Sequence, residues 1–449
     1  MHVPWGVCAQ SASTGQMRHH GRGQERSTLA EEQFELFVGI DWASESHEIC
    51  VLDAERRVID RKTIEHSGAG MTQLCELLLK LSSHQPSRVA VAIETPRGAV
   101  VETLVERQFK VFAINPKQMD RFRDRHTVAG AKDDRKDAFV LADSLRTDLH
   151  LFHPIQLDEA RVIRIRELSR TEEDIVQEQT RAGNQLRELL RRYYPQMLQL
   201  CPGMDEGWFL ELIELAPTPE AAQKLTRSKV EQLLKEHRIR RLSAEEILTE
   251  LKAPPLQLAP GAVEAASEHV LLQLPRIRLL QQQRSDVAGR IQSILDEMSQ
   301  PGQNGEHRDV AIILSLPGVG RVVAATMLAE ASQALAQRDY HALRSYAGAA
   351  PITRQSGKKK IVLMRQSCNL RMRNALYHWS RVSVQRDDQS REHYTQLRKV
   401  GHKHGRALRG VVDRLLPVLM AMLKSGTLYD PQRRANRRTP TIGSPTDQS

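Results

Sequence analysis

Three acidic sites in the first third of the chain carry the residue types that a hard metal ion requires. Asp41 closes the apolar run LFVGID (36–41), and Glu94 closes RVAVAIE (88–94). Both break an apolar strand pattern at its end, where a side chain reaches past the sheet edge. Singly, such acids most often cap turns or helices. The third site shifts that weighting: in AGAKDDRKDAFVLADSLR, Asp134 and Asp137 stand three apart and Asp133 and Asp137 four apart, so on a helix either pair shares a face. Carboxylate oxygens suit Mg2+, which keeps several waters and binds phosphate oxygens. Two such ions about 3.5–4 Å apart clamp a phosphodiester for in-line displacement. Asp143 falls about 120° off the shared face on a helix and stays outside the set.

To bring these acids together, residues 34–154 must fold as a sheet with helices on its faces. LFVGID (36–41), HEICVLD (47–53) and RVIDRKTI (57–64) predict a three-strand antiparallel meander. A helix near 71–81, a strand at 88–94, a helix over 99–108, a strand at 110–114 and a helix over 134–146 follow. The order βββαβαβα is α/β. Carboxylates from two strand ends and one helix on such a sheet form the ribonuclease-H-like arrangement for two divalent metals.

The remainder reads as all-α. In the middle, 155–307, Leu168, Ile175, Ala182, Leu186, Leu189 and Tyr193 recur at heptad-like steps, as do Leu280, Val287, Ile291, Ile294 and Met298. Two long helices with narrow apolar stripes pair as a coiled coil or pack on a domain core. Between them, 201–269 with its KAPPLQLAP reads as a small helical insertion or linker. In 308–424, AIILSLPGVGRVVAATMLAEA sets Pro317-Gly318-Val319-Gly320 between two helical runs, a helix-hairpin-helix pattern whose Gly318 and Gly320 let backbone N–H groups approach a phosphate. Residues 1–33 (with Met17 an alternative start) and 425–449 are expected to be disordered tails.

Charge marks one region. From Pro351 to Gly410 there are fifteen Lys/Arg against three acids, a local excess larger than the whole chain's +10. Such a run favours a polyanion-binding surface over a solvated helical face. The 449 residues, with 40% apolar and five widely spaced Cys, exclude a fibre, a disulfide scaffold and a Cys zinc site. No stretch is apolar enough for a membrane helix or signal peptide, so a cytoplasmic protein without membrane contacts is expected.

Six motifs in order give these residues a family likeness: G-I-D-W-A (39–43), I-E-T-P (93–96), K-D-D-R-K-D-A (132–138), L-P-G-V-G (316–320), Y-A-G-A-A-P-I-T-R-Q-S-G (346–357) and N-L-R-M-R-N-A-L (369–376). Together they resemble the DEDD-type insertion-sequence transposases, the insertion-sequence one-ten family with its eleven-eleven subgroup. The resemblance covers 36–154 and 308–424. It implies a RuvC-like nuclease domain whose Mg2+-binding acids fall on Asp41, Glu94, Asp134 and Asp137. The family writes Thr or Ser where this chain has Asp133, which leaves the choice of Asp134 over Asp133 open. It further implies a C-terminal transposase domain with a nucleophilic serine in Pro-x-x-x-x-Ser-Gly, here Ser356. Ser367 is the alternative, at a position where the family usually has a basic residue or glycine.

On this reading Ser356 attacks DNA phosphorus, activated by the acids, which folding or a second protomer brings near. Arg354, Lys358, Lys359, Lys360, Arg371 and Arg373 hold phosphates. The resemblance also implies double-stranded element-end and target DNA as substrates, and a structured guide RNA that reads sequence by pairing. A homodimer or homotetramer would form through the central helices. The alternatives are a RuvC-like junction nuclease that needs the acids and not Ser356, and a non-catalytic nucleic-acid-binding protein. His402 and His404 lie among cations and read as a phosphate-facing or solvated loop rather than a metal site.

Overall fold

A computed structural model describes residues 34–126, 133–201, 203–301, 308–357 and 359–432. The expected tail 1–33, Met17, Cys8, Lys132 and Lys358 lie outside them, as does the chain beyond 432. The described residues form two compact units that divide between Leu157 and Asp158. No helix among them is long and apolar enough to cross a membrane.

The first unit contains strands β1 (Leu36–Trp42), β2 (Ser46–Asp53), β3 (Val58–Glu65), β4 (Val89–Ile93) and β5 (Lys110–Ala113). Its helices are α1 (Gly68–Leu81), α2 (Ala99–Glu106), α3 (Pro116–His126) and α4 (Asp134–Asp148). The sheet order is β3-β2-β1-β4-β5. β1 pairs antiparallel with β2 and parallel with β4. Apolar VAVAI makes β4 buried along its whole length, whereas β3 alternates polar and charged residues as a protected edge does. Leu74, Leu78, Val100 and Leu104 cover one face of the sheet. Met119, Phe122, Leu141 and Leu145 cover the other. The expected order of elements is present with one addition, α3. Its sequence PKQMDRFRDRH carries only two apolar side chains, Met119 and Phe122, too few for a legible periodicity, yet both are buried.

Among its described residues, the second unit is helical with one exception. α5 (Ala160–Tyr193) and α11 (Ala262–Ser299) pack along each other, and Ile175, Ala182, Leu186, Val287, Ile291 and Ile294 are buried. Between them stand α6 (Met197–Leu200), α7 (Gly207–Leu215), α8 (Pro219–Gln223), α9 (Arg227–Glu236) and α10 (Ala244–Leu251). This segment is a packed part of the core rather than a linker, with Trp208 and Phe209 fully buried. Next come α12 (Asp309–Ser315), α13 (Arg321–Ala336) and α14 (Tyr340–Tyr346). The exception to the all-α expectation is an antiparallel hairpin, β6 (Ile352–Ser356) and β7 (Lys359–Leu363). The chain then forms α15 (Leu370–Arg386), α16 (Asp388–Lys399) and α17 (His404–Ser425). Buried side chains from Ile165 to Leu423 make one continuous core. Within the segment expected as a tail, 425–449, Tyr429 is packed: its amide donates to Ser315 Oγ at 3.0 Å and its hydroxyl to Asp387 at 3.0 Å.

Candidate active site

The acids of the first unit collect along one edge of its sheet. β1 and β4 are in register at Ile40 and Ile93, so Asp41 and Glu94 are the next residues on neighbouring strands. Across β2, Asp41 pairs with Glu48, an acid that the strand pattern did not single out. Glu48 accepts from Thr63 Oγ1 at 2.6 Å, and it lines one open hollow with Asp133, Asp134 and Arg135. Gly39 explains how α4 reaches this edge. A Cβ there would lie 1.9 Å from the Ala138 carbonyl oxygen and 2.6 Å from the Ala142 nitrogen. Only glycine lets the helix backbone rest on β1.

The first turn of α4 divides its acids by depth. Asp133 is the N-cap, accepting from the Arg135 amide at 3.2 Å. A Thr or Ser hydroxyl performs the same task, which accounts for Asp133 standing where the family has a hydroxyl residue. Asp134 is exposed at the helix start, while Asp137, one turn on, is buried. Both Asp137 oxygens are held by Arg123 of α3: Nε donates at 2.7 Å and Nη2 at 2.8 Å. The same guanidinium reaches Glu94 at 3.6 Å and Asp120 at 3.0 Å. The hydrogen bond to Asp137 raises the pKa of Arg123 above its ordinary value, against the opposing effect of burial. Asp143 pairs with Arg56 and Arg146 and is structural. Among the described residues, no three His, Cys, Asp or Glu side chains are gathered to hold a metal ion. In donor type the four carboxylates fit a hard cation; in arrangement, the cation between Glu94 and Asp137 is Arg123.

Ser356 ends β6 opposite Lys359, and Gly357, at φ +55°, begins the two-residue turn. The exposed Arg354 and Ser356 share a face of the hairpin, since they stand two apart on one strand. Lys360 pairs with Gln355 and therefore belongs to the opposite face. Of Lys359, only the backbone is described. Ser367 is exposed in the loop before α15.

The other two cations are engaged within the unit. Arg371 donates to Glu173 at 2.5 Å and to Ser169 at 2.6 Å, and pairs with Glu330 at 3.2 Å. Arg373 donates to the Arg365 carbonyl at 2.5 Å, bracing the loop that leaves the hairpin. Gly318, at φ +83°, is pressed on α15, where a Cβ would lie 2.7 Å from the Ser383 nitrogen. Trp379 and Ser383 donate to the Pro317 carbonyl at 3.0 and 2.7 Å. Of the two glycines, only Gly320, the N-cap of α13, has open space on its Cβ side. His404 is hydrogen-bonded to the Tyr394 hydroxyl at 2.8 Å.

Comparison with known proteins decides what this pair of sites belongs to. A DEDD transposase profile matches residues 38–195, and a profile described as the transposase IS116/IS110/IS902 family matches 310–395. The mini-circle protein of IS117 from Streptomyces coelicolor, named as a transposase, is 35% identical over 90% of this chain and 97% of its own length. The chain belongs to the IS110 family of insertion-sequence transposases. Transposases cut and rejoin DNA, and this chain is such an enzyme. A Sinorhizobium fredii protein, y4uE, also named as a transposase, is 42% identical over 54% of this chain and 69% of its own length. The IS110 insertion-element protein of S. coelicolor is 25% identical over 89% of this chain and 96% of its own length.

Two residues of the transposase escaped the sequence reading. Glu48 lies inside a strand rather than at its end, and its signal is the cross-strand position opposite Asp41. Arg123 lies on α3, where Met119 and Phe122, three apart behind Pro116, were the available sign of a helix.

Proposed function

We propose that the transposase cuts DNA through Ser356, with the acid edge as its metal-dependent partner and an element-encoded RNA as its guide. The observation that carries this reading is the register of β1 and β4, which sets Asp41 beside Glu94 at the edge where α4 presents Asp134 and Asp137. This is the arrangement expected of a ribonuclease-H-like, RuvC-type domain. Asp41, Glu94, Asp134 and Asp137 would hold Mg2+, which when bound neutralises phosphate charge as a Lewis acid. Ser356 Oγ forms a bond to phosphorus as the P–O3′ bond breaks. The hydroxyl proton passes to a base and from it to the leaving oxygen, which departs as a free 3′-hydroxyl. The phosphodiester energy is kept in the serine ester, so rejoining needs no external source. Arg354, on the Ser356 face, would meet the phosphate; Gly320 and Lys360 would contact DNA elsewhere. Arg371 and Arg373 would act by holding α15 and the hairpin loop in place. A basic, aromatic-poor chain suits a guide RNA recognised by backbone and helix shape. Leu272 and Leu279, exposed one heptad apart on α11, support assembly as a dimer or tetramer through the long helices.

The test incubates the protein with element-end DNA, flanking RNA and Mg2+, then runs a denaturing gel. A protein–DNA adduct in wild type that is lost in both Ser356→Ala and Asp41→Ala is the expected result. Cleavage without an adduct, sensitive to Asp41 and indifferent to Ser356, would make the enzyme a junction-type nuclease instead.

A further inference from the structure

The acid edge carries its own cation. Asp137 is almost fully buried, with its side chain 4% exposed, and both its oxygens are engaged by one guanidinium. That guanidinium comes from α3, a neighbouring helix, and extends to Glu94 at the end of β4. A bidentate Arg–carboxylate fork engages one lone pair on each oxygen and so competes with a metal ion for them. A buried carboxylate without any cation would be strongly disfavoured. Arg123 therefore neutralises the buried Asp137 and competes with any second cation for its oxygens.

We propose that Arg123 is a displaceable latch: it holds Asp137 and Glu94 in place in the metal-free transposase and must swing away before these two acids can bind a divalent ion. The inference rests on the proposed metal role of the four acids. It makes metal loading a competition, so that the ion's apparent affinity is reduced by the fraction of molecules with the latch open. If about a tenth are open, the reduction is about tenfold. The latch thus keeps the nuclease edge unloaded until something moves α3, and bound nucleic acid phosphate, a competing partner for Arg123, is suited to do so.

The probe is Mn2+ alone, titrated into the full chain and followed by electron paramagnetic resonance, with thermal unfolding in parallel. Arg123→Gln should bind Mn2+ about tenfold more tightly than wild type. It should also melt lower without metal and regain that loss with it. Arg123→Lys, which keeps the charge without the fork, should fall between. In wild type, Mn2+ should speed hydrogen exchange of the α3 amides (117–126), because the helix loses its anchor on α4. That measurement stands even where Arg123→Gln fails to fold. Unchanged or slower α3 exchange, or Arg123→Gln binding no tighter than wild type while Asp41→Asn abolishes binding, would overturn the latch and leave the acid site standing. No Mn2+ binding in either wild type or Arg123→Gln would remove the acid-site reading itself.

Discussion

The acid edge and the serine hairpin are built in opposite ways. Asp41, Glu94 and Asp137 sit at the ends or on the packed face of elements whose neighbours are buried on both sides, and a glycine fixes the distance between β1 and α4. Ser356 sits on a two-stranded hairpin whose residues from Thr353 to Gly357 are exposed. A lone two-stranded hairpin has little stability of its own. The carboxylates are thus positioned by the packing of their unit, whereas the hairpin gives Ser356 little packing of its own. Substitutions in the two regions should accordingly separate activity from stability.

The largest expected effect comes from Ser356→Ala. As the proposed nucleophile, its loss should lower DNA cleavage at least about 10⁴-fold. As an exposed hairpin residue, its loss should change unfolding free energy by no more than about 0.5 kcal/mol. Single-turnover cleavage and denaturant unfolding on the same preparation check both halves. Ser367→Ala serves as the contrast and should leave cleavage within about twofold of wild type, since an exposed residue outside the reaction contributes little. If Ser367→Ala abolished cleavage and Ser356→Ala did not, the nucleophile would be assigned wrongly.

Next in size is Gly39→Ala, which adds one methyl group where β1 meets α4. Its Cβ would meet backbone atoms of α4 at 1.9 and 2.6 Å, and backbone cannot rotate aside. The helix must lift from β1, at a cost of about 3 kcal/mol typical of severe overpacking. Hydrogen exchange should show amides of β1 and α4 losing protection while those of α15 keep theirs. Gly318→Ala should do the reverse, loosening α15 and sparing β1, because its Cβ would strike the Ser383 nitrogen and its φ is +83°. Equal loosening of both units by either change would deny that they are built separately.

These contrasts also show why parts of the molecule were legible in the sequence. Strands β1, β2 and β4 are dense apolar runs bounded by polar turns, and the motif acids fall at their ends, so the sheet and the positions of Asp41 and Glu94 could be read directly. The long helices announced themselves by periodicity. The hairpin did not, because ITRQS and KKIVL bury almost nothing and alternate no apolar face. Helix α3, and Arg123 with it, escaped for the related reason that two apolar residues make no period. Arg371 looked like a phosphate ligand because sequence shows its charge; its partners Glu173 and Glu330 lie far off along the chain. Charge is visible in sequence, but its neutralisation through space is not.

The smallest effect concerns His47, which is fully buried beside the strand end that carries Asp41. The Ala43 amide donates to its Nδ1 at 3.4 Å, so the ring proton belongs on Nε2, which faces His66 Nδ1 at 2.9 Å. Protonation of His47 would turn that Nδ1 acceptor into a donor against a donor. Burial first, and His66 second, hold its pKa below the ordinary 6.5. A group with a depressed folded-state pKa takes up protons more readily when unfolded, so its stabilisation is complete above about pH 6.5 and is lost as pH falls toward the folded value. The acid-edge unit should therefore melt progressively lower as pH is brought below 6.5, by less than the loss in Gly39→Ala. His47→Phe keeps an aromatic ring beside Trp42 and removes the titration, so it should flatten that slope. If the slope persisted unchanged in His47→Phe, or if exchange in the β6–β7 hairpin rose with acid as steeply as in β1, the pH sensitivity would not reside in the buried His47.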